Sequence, residues 1–306
     1  MGELAPQRSR ALESMSSVLA SNSGKWRGPV LIVAAAVFWS TGGLGIKSLP
    51  LFPMIITGWR SLFALPVLAV FNRVSRARLS MPAMPSVVAT AVAYAATLCF
   101  FVAATRLTTA ANAILLQSSS PLWVILLSIV VLHEIPHRRD YLVAAGCLAG
   151  LTLFFLDKLT PEGLLGIIFG LLSACTMACL VTGLRFQGRR GRESAALASV
   201  LFGNVLCIIV CLPWMLGSYS AIQGRQWVIL AALGSMQLAL PYALFSAGIR
   251  HVTALRATLL ALIEPILNPV WVALGSGETP GAWALVGGCF ILGSLALDAL
   301  IPRAGR

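Results

Sequence analysis

Five consecutive residues of this chain spell a catalytic pattern. His133-Glu134-Ile135-Pro136-His137 reads H-E-x-x-H. At that spacing two histidines on one helical face hold zinc, and the glutamate serves as general base of a metalloprotease. The chemistry needs an unbroken helix. Pro136 stands between the two histidines, and proline disrupts a helix interior. No metal is therefore expected there. Two further ionisable groups stand alone in long apolar runs, Glu264 in TLLALIEPILNPVW and Arg60 in MIITGWRSLFALPV. In a bilayer centre such a charge costs about 2.5–3.5 kcal/mol even on the lenient insertion scale. Each must face protein interior or water. Glu264 can contact a ligand's ammonium group or carry a coupling proton. It can equally pair with a buried cation such as Arg60, or cap backbone freed near Pro265. Arg60 can pair with a ligand carboxylate, although arginines so placed more often stabilise packing or snorkel.

Pro121, Pro265 and Pro269 fall inside two apolar runs. Each removes a backbone donor and frees a carbonyl. Gln117, Ser118, Ser119, Ser120 and Asn268 stand close enough in sequence to satisfy those groups. The feature reads as a kinked, polar midplane that binds a ligand and hinges, or as polar residues that only mend the kink. Glu264, Asn268 and Trp271 recur at helical spacing and form one stripe, and Gln117, Ser120 and Trp123 form a similar one. Polar groups beside aromatics suit a zwitterion with an apolar side chain. Trp39, Tyr94, Tyr242 and Phe245 could complete such a pocket, although most aromatics in spans pack or anchor at the interface.

The elements that would carry these residues follow from composition. Of 306 residues, 58% are hydrophobic and 10% charged, against about 25% charged in a soluble domain. Mean hydropathy is +0.89. Such a chain finds its solvent in lipid, and its continuous apolar runs argue for helices rather than an alternating β-barrel. Ten segments are expected, near 29–48, 52–71, 84–105, 108–131, 140–156, 162–185, 194–216, 226–249, 252–275 and 281–301. The net charge of +12 does not point to nucleic acid, because the cations lie between the apolar segments. With alternating sides and a cytoplasmic N-terminus, 16 cations fall inside and 4 outside, as the positive-inside rule requires. Residues 1–28 are polar, lack a long apolar stretch and read as a cytoplasmic tail rather than a signal peptide. All seven cysteines fall in apolar segments without histidine or carboxylate neighbours, so they read as small apolar filler.

Shifting the sequence by 144 residues places Arg106 on Arg250, Ala110 on Ala254 and Ala113 on Ala257. Leu115 and Leu116 then fall on Leu259 and Leu260, Pro121 on Pro265, Glu134 on Glu278 and Pro136 on Pro280. This is a duplication. Five segments per half is an odd number, so the second copy enters the membrane from the opposite side. Inverted repeats place a binding site at the midplane and give alternating access by rocking.

These residues are similar to the EamA-type branch of the drug/metabolite transporter superfamily. The resemblance rests on SSSPLWVILLSIVVLHEIP with AAGCLAGLTL in the first half, and on IEPILNPVWVALGSGETPGAWALVGGCFILGSLAL in the second. VFWSTGGLGIK and FPMIITGWR resemble the YddG-type aromatic amino-acid exporters in particular. His133 departs from the glycine usual in the turn. The resemblance spans residues 29 to 301. It implies an all-α integral membrane protein of ten helices in two inverted five-helix repeats, 29–158 and 159–303, with both termini cytoplasmic. It also implies export of small metabolites, with aromatic or other neutral amino acids expected first, and no enzymatic activity. The expected binding residues are Trp39, Tyr94, Gln117, Ser120, Tyr242, Glu264, Asn268 and Trp271, with Pro121, Pro265 and Pro269 at hinges. Gly42, Gly43, Gly45, Gly166 and Gly170 are expected at close helix seams. No cofactor, metal or nucleic acid is expected. The expected partners are the bilayer of the inner (cell) membrane and an amino-acid-like solute, bound by a monomer. Transport of another metabolite or drug-like solute, and a channel or scramblase, remain the alternatives.

Overall fold

A computed structural model describes residues 26–74, 84–156, 163–276 and 281–300, and every regular element among them is helical. Most of the expected tail, together with Glu278 and Pro280, lies outside the described residues. The helices are α1 (Trp26–Trp39), α2 (Gly42–Lys47), α3 (Pro53–Val74), α4 (Met84–Leu107), α5 (Ala110–Gln117), α6 (Ser120–Leu127), α7 (Arg138–Phe155), α8 (Leu164–Arg189), α9 (Glu193–Leu216), α10 (Gly224–Ala232), α11 (Leu240–Ile249), α12 (Ala254–Ala261), α13 (Ile263–Ser276) and α14 (Ala282–Leu300). Among the described residues, seven helical stretches are long and apolar enough to cross a membrane, one of them, Asn112–Leu132, running through the turn at Ser118–Ser119. The other expected segments are helical but fall short of that standard. The first breaks at Ser40–Thr41 between α1 and α2. The fifth, α7, opens on Arg138, Arg139 and Asp140. The ninth runs as α12 and α13, and it falls short although the fourth, divided in the same way into α5 and α6, does not.

The duplication is visible in backbone detail. α5 and α12 have equal length and begin on threonine caps, Thr109 accepting from Asn112 N and Thr253 from Arg256 N. Both end on a residue of nearly flat ψ, Ser118 at φ −69°, ψ −5° and Leu262 at φ −64°, ψ −4°. The helix axis restarts immediately afterwards as α6 and α13. Pro121 and Pro265 then lie in the first turn of the new helix, where a missing N–H is harmless. The two prolines therefore follow breaks instead of kinking a continuous helix.

A second device widens the eighth segment. Residues Leu233–Ala239 between α10 and α11 form a π-helix, with Leu240 N bonded to Ser235 O. Pro241 follows at the start of α11. It cannot donate to the carbonyl four residues back, and the looser π register absorbs the missing bond. A five-residue π turn, Ser128–Leu132, likewise ends the fourth segment.

The two halves interleave. α4 packs along α8 and α9, α3 along α9 and the long π stretch, and α7 along α14. Side-chain contacts at the helix ends show alternating direction. Gln187 near the end of α8 reaches Ser86 at the start of α4 and Ser199 early in α9. At the opposite end, Trp59 early in α3 donates to Ser218 just beyond α9. Four of the five expected seam glycines sit at close approaches: a side chain at Gly42 would strike Gln237, at Gly45 Leu233, at Gly170 Leu116, and at Gly166 the Thr108 backbone nitrogen at 2.7 Å.

Candidate functional site

A cavity lies where the halves meet. It is lined by Trp39 from α1, Arg60 from α3, Thr97, Leu98 and Phe101 from α4, Gln117 from α5, Met177 from α8, Gln237 and Leu238 from the π stretch, Tyr242 from α11 and Glu264 from α13. Both repeats contribute. The space open to the centre of a water molecule is about 30 Å³, room for roughly two waters. A drug-sized ligand needs a pocket of about 300 Å³ or more, so the cavity as it stands is too small for one.

Four of the eight expected binding residues line the cavity: Trp39, Gln117, Tyr242 and Glu264. Gln117 Nε2 donates to Ser173 Oγ at 2.7 Å, and Ser173 Oγ in turn donates to the Thr97 carbonyl at 3.3 Å. Trp39 meets Tyr242 edge-on at 4.9 Å between ring centroids and leans on Phe245 at 5.3 Å. Aromatic pairs prefer such tilted contacts, and the cluster holds one wall of the cavity rigid. Tyr94 stands behind that wall. It meets Tyr242 at 4.7 Å and accepts from Asn204 Nδ2 at 2.9 Å.

The remaining expected residues are placed differently. Trp271 donates to Ser40 Oγ at 2.7 Å, tying α13 to the break between α1 and α2. The stripe of Gln117, Ser120 and Trp123 is interrupted by the Ser118–Ser119 turn. Ser120 is buried, whereas Trp123 is exposed. The Asn268 and Pro269 side chains lie outside the described residues. The H-E-x-x-H stretch is not helical. His133 is a left-handed residue at φ 54° closing the π turn, and His137 caps α7 with Asp140. Glu134 turns inward to Arg185 at 2.9 Å.

Arg60 is 2% exposed. Its Nη2 donates to Gln237 Oε1 at 2.9 Å, and Gln237 Nε2 reaches the Trp39 carbonyl at 3.4 Å. Its Nε and Nη1 are buried with no hydrogen-bond partner. Among the described residues Glu264 has no cation within 4.0 Å, so the Arg60–Glu264 pair allowed by the sequence is not made. Gln237 escaped the sequence reading. A signal was present: Gln237 stands four residues before Pro241, as Gln117 does before Pro121.

Interleaved apolar helices in two structural copies, long and apolar enough to cross a bilayer several times, mark a multi-pass membrane protein with a polar and aromatic cavity where the copies meet. The chain belongs to the EamA-like transporter family, whose profile matches it twice, over residues 26–156 and 164–298. It is 31% identical over 204 residues to a protein of Archaeoglobus fulgidus described as an uncharacterized transporter, covering 66% of this chain and 71% of that one. A solved crystal structure superposes with a TM-score of 0.74 at 18% identity, over 89% of this chain and 96% of its own. That likeness shows the fold.

Proposed function

We propose that the protein exports small metabolites from the cytoplasm, aromatic and other neutral amino acids foremost, by alternating access between its inverted halves. The observation that carries this is the cavity lining, where Arg60, Gln117, Gln237 and Glu264 stand beside Trp39, Phe101 and Tyr242. Polar groups fix a solute's orientation, and the aromatic wall receives an apolar side chain. The small volume fits a carrier passing between states better than an open channel. Alternating helix direction and the charge count support ten crossings, both termini in the cytoplasm and the inner (cell) membrane as site. On this reading the repeats are 29–158 and 159–303, and the protein works as a monomer. Trp39 and Tyr242 contact the solute, with Tyr94 supporting them and Asn268, Ser120 and Trp271 completing the midplane. The breaks before Pro121 and Pro265, with Pro269 in α13, serve as hinges.

The test is uptake into proteoliposomes with labelled phenylalanine, tryptophan, methionine, threonine and a sugar. Saturable amino-acid flux is expected, with little sugar flux. Glu264→Gln should lower the rate about tenfold or more, as loss of one charge-assisted contact does. No saturable amino-acid flux through folded protein would sink the substrate assignment.

A further inference from the structure

We infer that Arg60 receives the carboxylate of the transported solute and Glu264 its ammonium group, so that the cavity selects zwitterions over amines, acids and amides of equal size; this rests on the amino-acid reading above. Arg60 is a deeply buried guanidinium with one hydrogen bond, to Gln237, and two donor nitrogens that bond nothing. Buried charged groups are normally paired and buried donors satisfied. A structural arginine would be expected to use more of its fork on carbonyls or a carboxylate, as Arg185 does, its Nε on Glu134 and its Nη1 on the carbonyls of Ile249 and Arg250. Arg60 does not.

Glu264 is the one carboxylate lining the same cavity, and the two groups do not satisfy each other. A bare ion-pair role would bring them together. Held apart within one small space, they present a positive and a negative group to whatever enters. A zwitterion completes both. An amine leaves the guanidinium unmet, an acid leaves the carboxylate unmet, and a neutral solute leaves both. Each unmet charge costs binding energy, so the selection is a difference in affinities built from desolvation. Gln237 acts as a positioning residue. It fixes Nη2, and through its own bond to the Trp39 carbonyl it sets the guanidinium against the aromatic wall. The two free donors are shut off from water in this conformation and come within a ligand's reach as the cavity widens.

The experiment is equilibrium binding to the purified protein in lipid nanodiscs. The ligands are phenylalanine, phenylalaninamide, phenethylamine and 3-phenylpropionate, and the variants are Arg60→Gln, Arg60→Lys and Glu264→Gln. Wild-type protein should bind phenylalanine about tenfold or more tighter than the other three. Arg60→Gln should lower phenylalanine affinity to the amide's level while leaving the amide within about twofold, since only the carboxylate contact is lost. Glu264→Gln should lower phenylalanine affinity to the level of 3-phenylpropionate and leave 3-phenylpropionate itself unchanged. A merely structural Arg60 would weaken all ligands alike, and that result overturns the inference. Should Arg60→Gln not fold, Arg60→Lys answers the same acid-to-amide comparison, with a smaller loss expected because lysine keeps the charge but not the fork. Wild-type binding of phenylalanine without preference over its amide overturns the Arg60 assignment and leaves amino-acid transport standing. If phenylalanine does not bind at all, methionine and threonine against their amides and amines decide. No preference for a carboxylate there overturns the inference too.

Discussion

Replacing Glu134 by glutamine is expected to lower the melting temperature of the purified protein by roughly 4–8 °C, from a loss of about 2–4 kcal/mol. An isolated ion pair at a surface would not do this, since such pairs contribute about 0–1 kcal/mol. Glu134 is different in its surroundings. Its side chain is 9% exposed and meets Arg185 at 2.9 Å and Arg189 at 3.5 Å. Its other oxygen accepts from Ala254 N at 3.4 Å, at the first turn of α12. Arg185 in turn donates to the carbonyls of Ile249 and Arg250 at the end of α11, and Arg189 to that of Leu132 at 2.7 Å. One carboxylate thus holds together the ends of the fourth, sixth and eighth segments and the start of the ninth. Neutralising it leaves Arg185, itself 13% exposed, without its counter-charge. A charge reversal separates this from general damage. Glu134→Arg alone should be worse than Glu134→Gln, and pairing it with Arg185→Glu should recover part of the loss. No recovery, with Glu134→Gln indistinguishable from wild type, would show the cluster to be inert.

The clamp explains a motif that reads as chemistry in one dimension. H-E-x-x-H raised zinc because histidine spacing is counted along the chain. Pro136 already argued against the helix that zinc needs, and the repeat accounted for Glu134 through Glu278. What the sequence could not show is the partner, because Arg185 is 51 positions away and belongs to the other half. The same limit governs the cavity. Glu264 and Arg60 were conspicuous as charges in apolar runs, Gln117 belonged to a polar and aromatic stripe, and Trp39 and Tyr242 stood out only as aromatics that could complete a pocket. Their convergence depends on how two interleaved repeats pack, which no local spacing encodes. Helix breaks show the converse. Pro121 and Pro265 were legible, but not that the chain restarts its helix before each, because the decisive residues, Ser118 and Leu262, share neither size nor polarity. Only the backbone angles reveal them as equivalent. The Gln117–Ser120–Trp123 stripe failed for that reason: periodicity counted across a break does not define a face.

Gly287→Ala is expected to destabilise the protein by about 1–3 kcal/mol, although alanine is the better helix former. α7 and α14, the closing helices of the two repeats, touch backbone to backbone. A side chain at Gly287 would run into the Gly150 carbonyl oxygen and the Phe154 backbone nitrogen, and would lie 2.6 Å from the Phe154 Cα. One at Gly150 would lie 2.8 Å from the Gly287 carbonyl oxygen. Backbone atoms cannot rotate away as a flexible side chain can, so the helices must separate and lose contact along their length. Small residues at such a crossing are what allow helices to associate in lipid, where no hydrophobic force drives them together. The control lies on the same helix. Nothing comes within 4 Å of a side chain at Gly293, and at Gly288 the nearest atoms are 3.8 Å away. Alanine at either position should be neutral, or stabilising by up to about 1 kcal/mol, by propensity alone. The same substitution therefore changes sign between neighbouring residues, and thermal unfolding of the three variants in one detergent reads it directly. Gly287→Ala behaving like Gly293→Ala would mean that α7 and α14 are not in contact. Arg139 at the start of α7 also meets Asp298 at 3.9 Å and the Leu297 carbonyl near the end of α14, so the pair is pinned at one end as well as along its crossing.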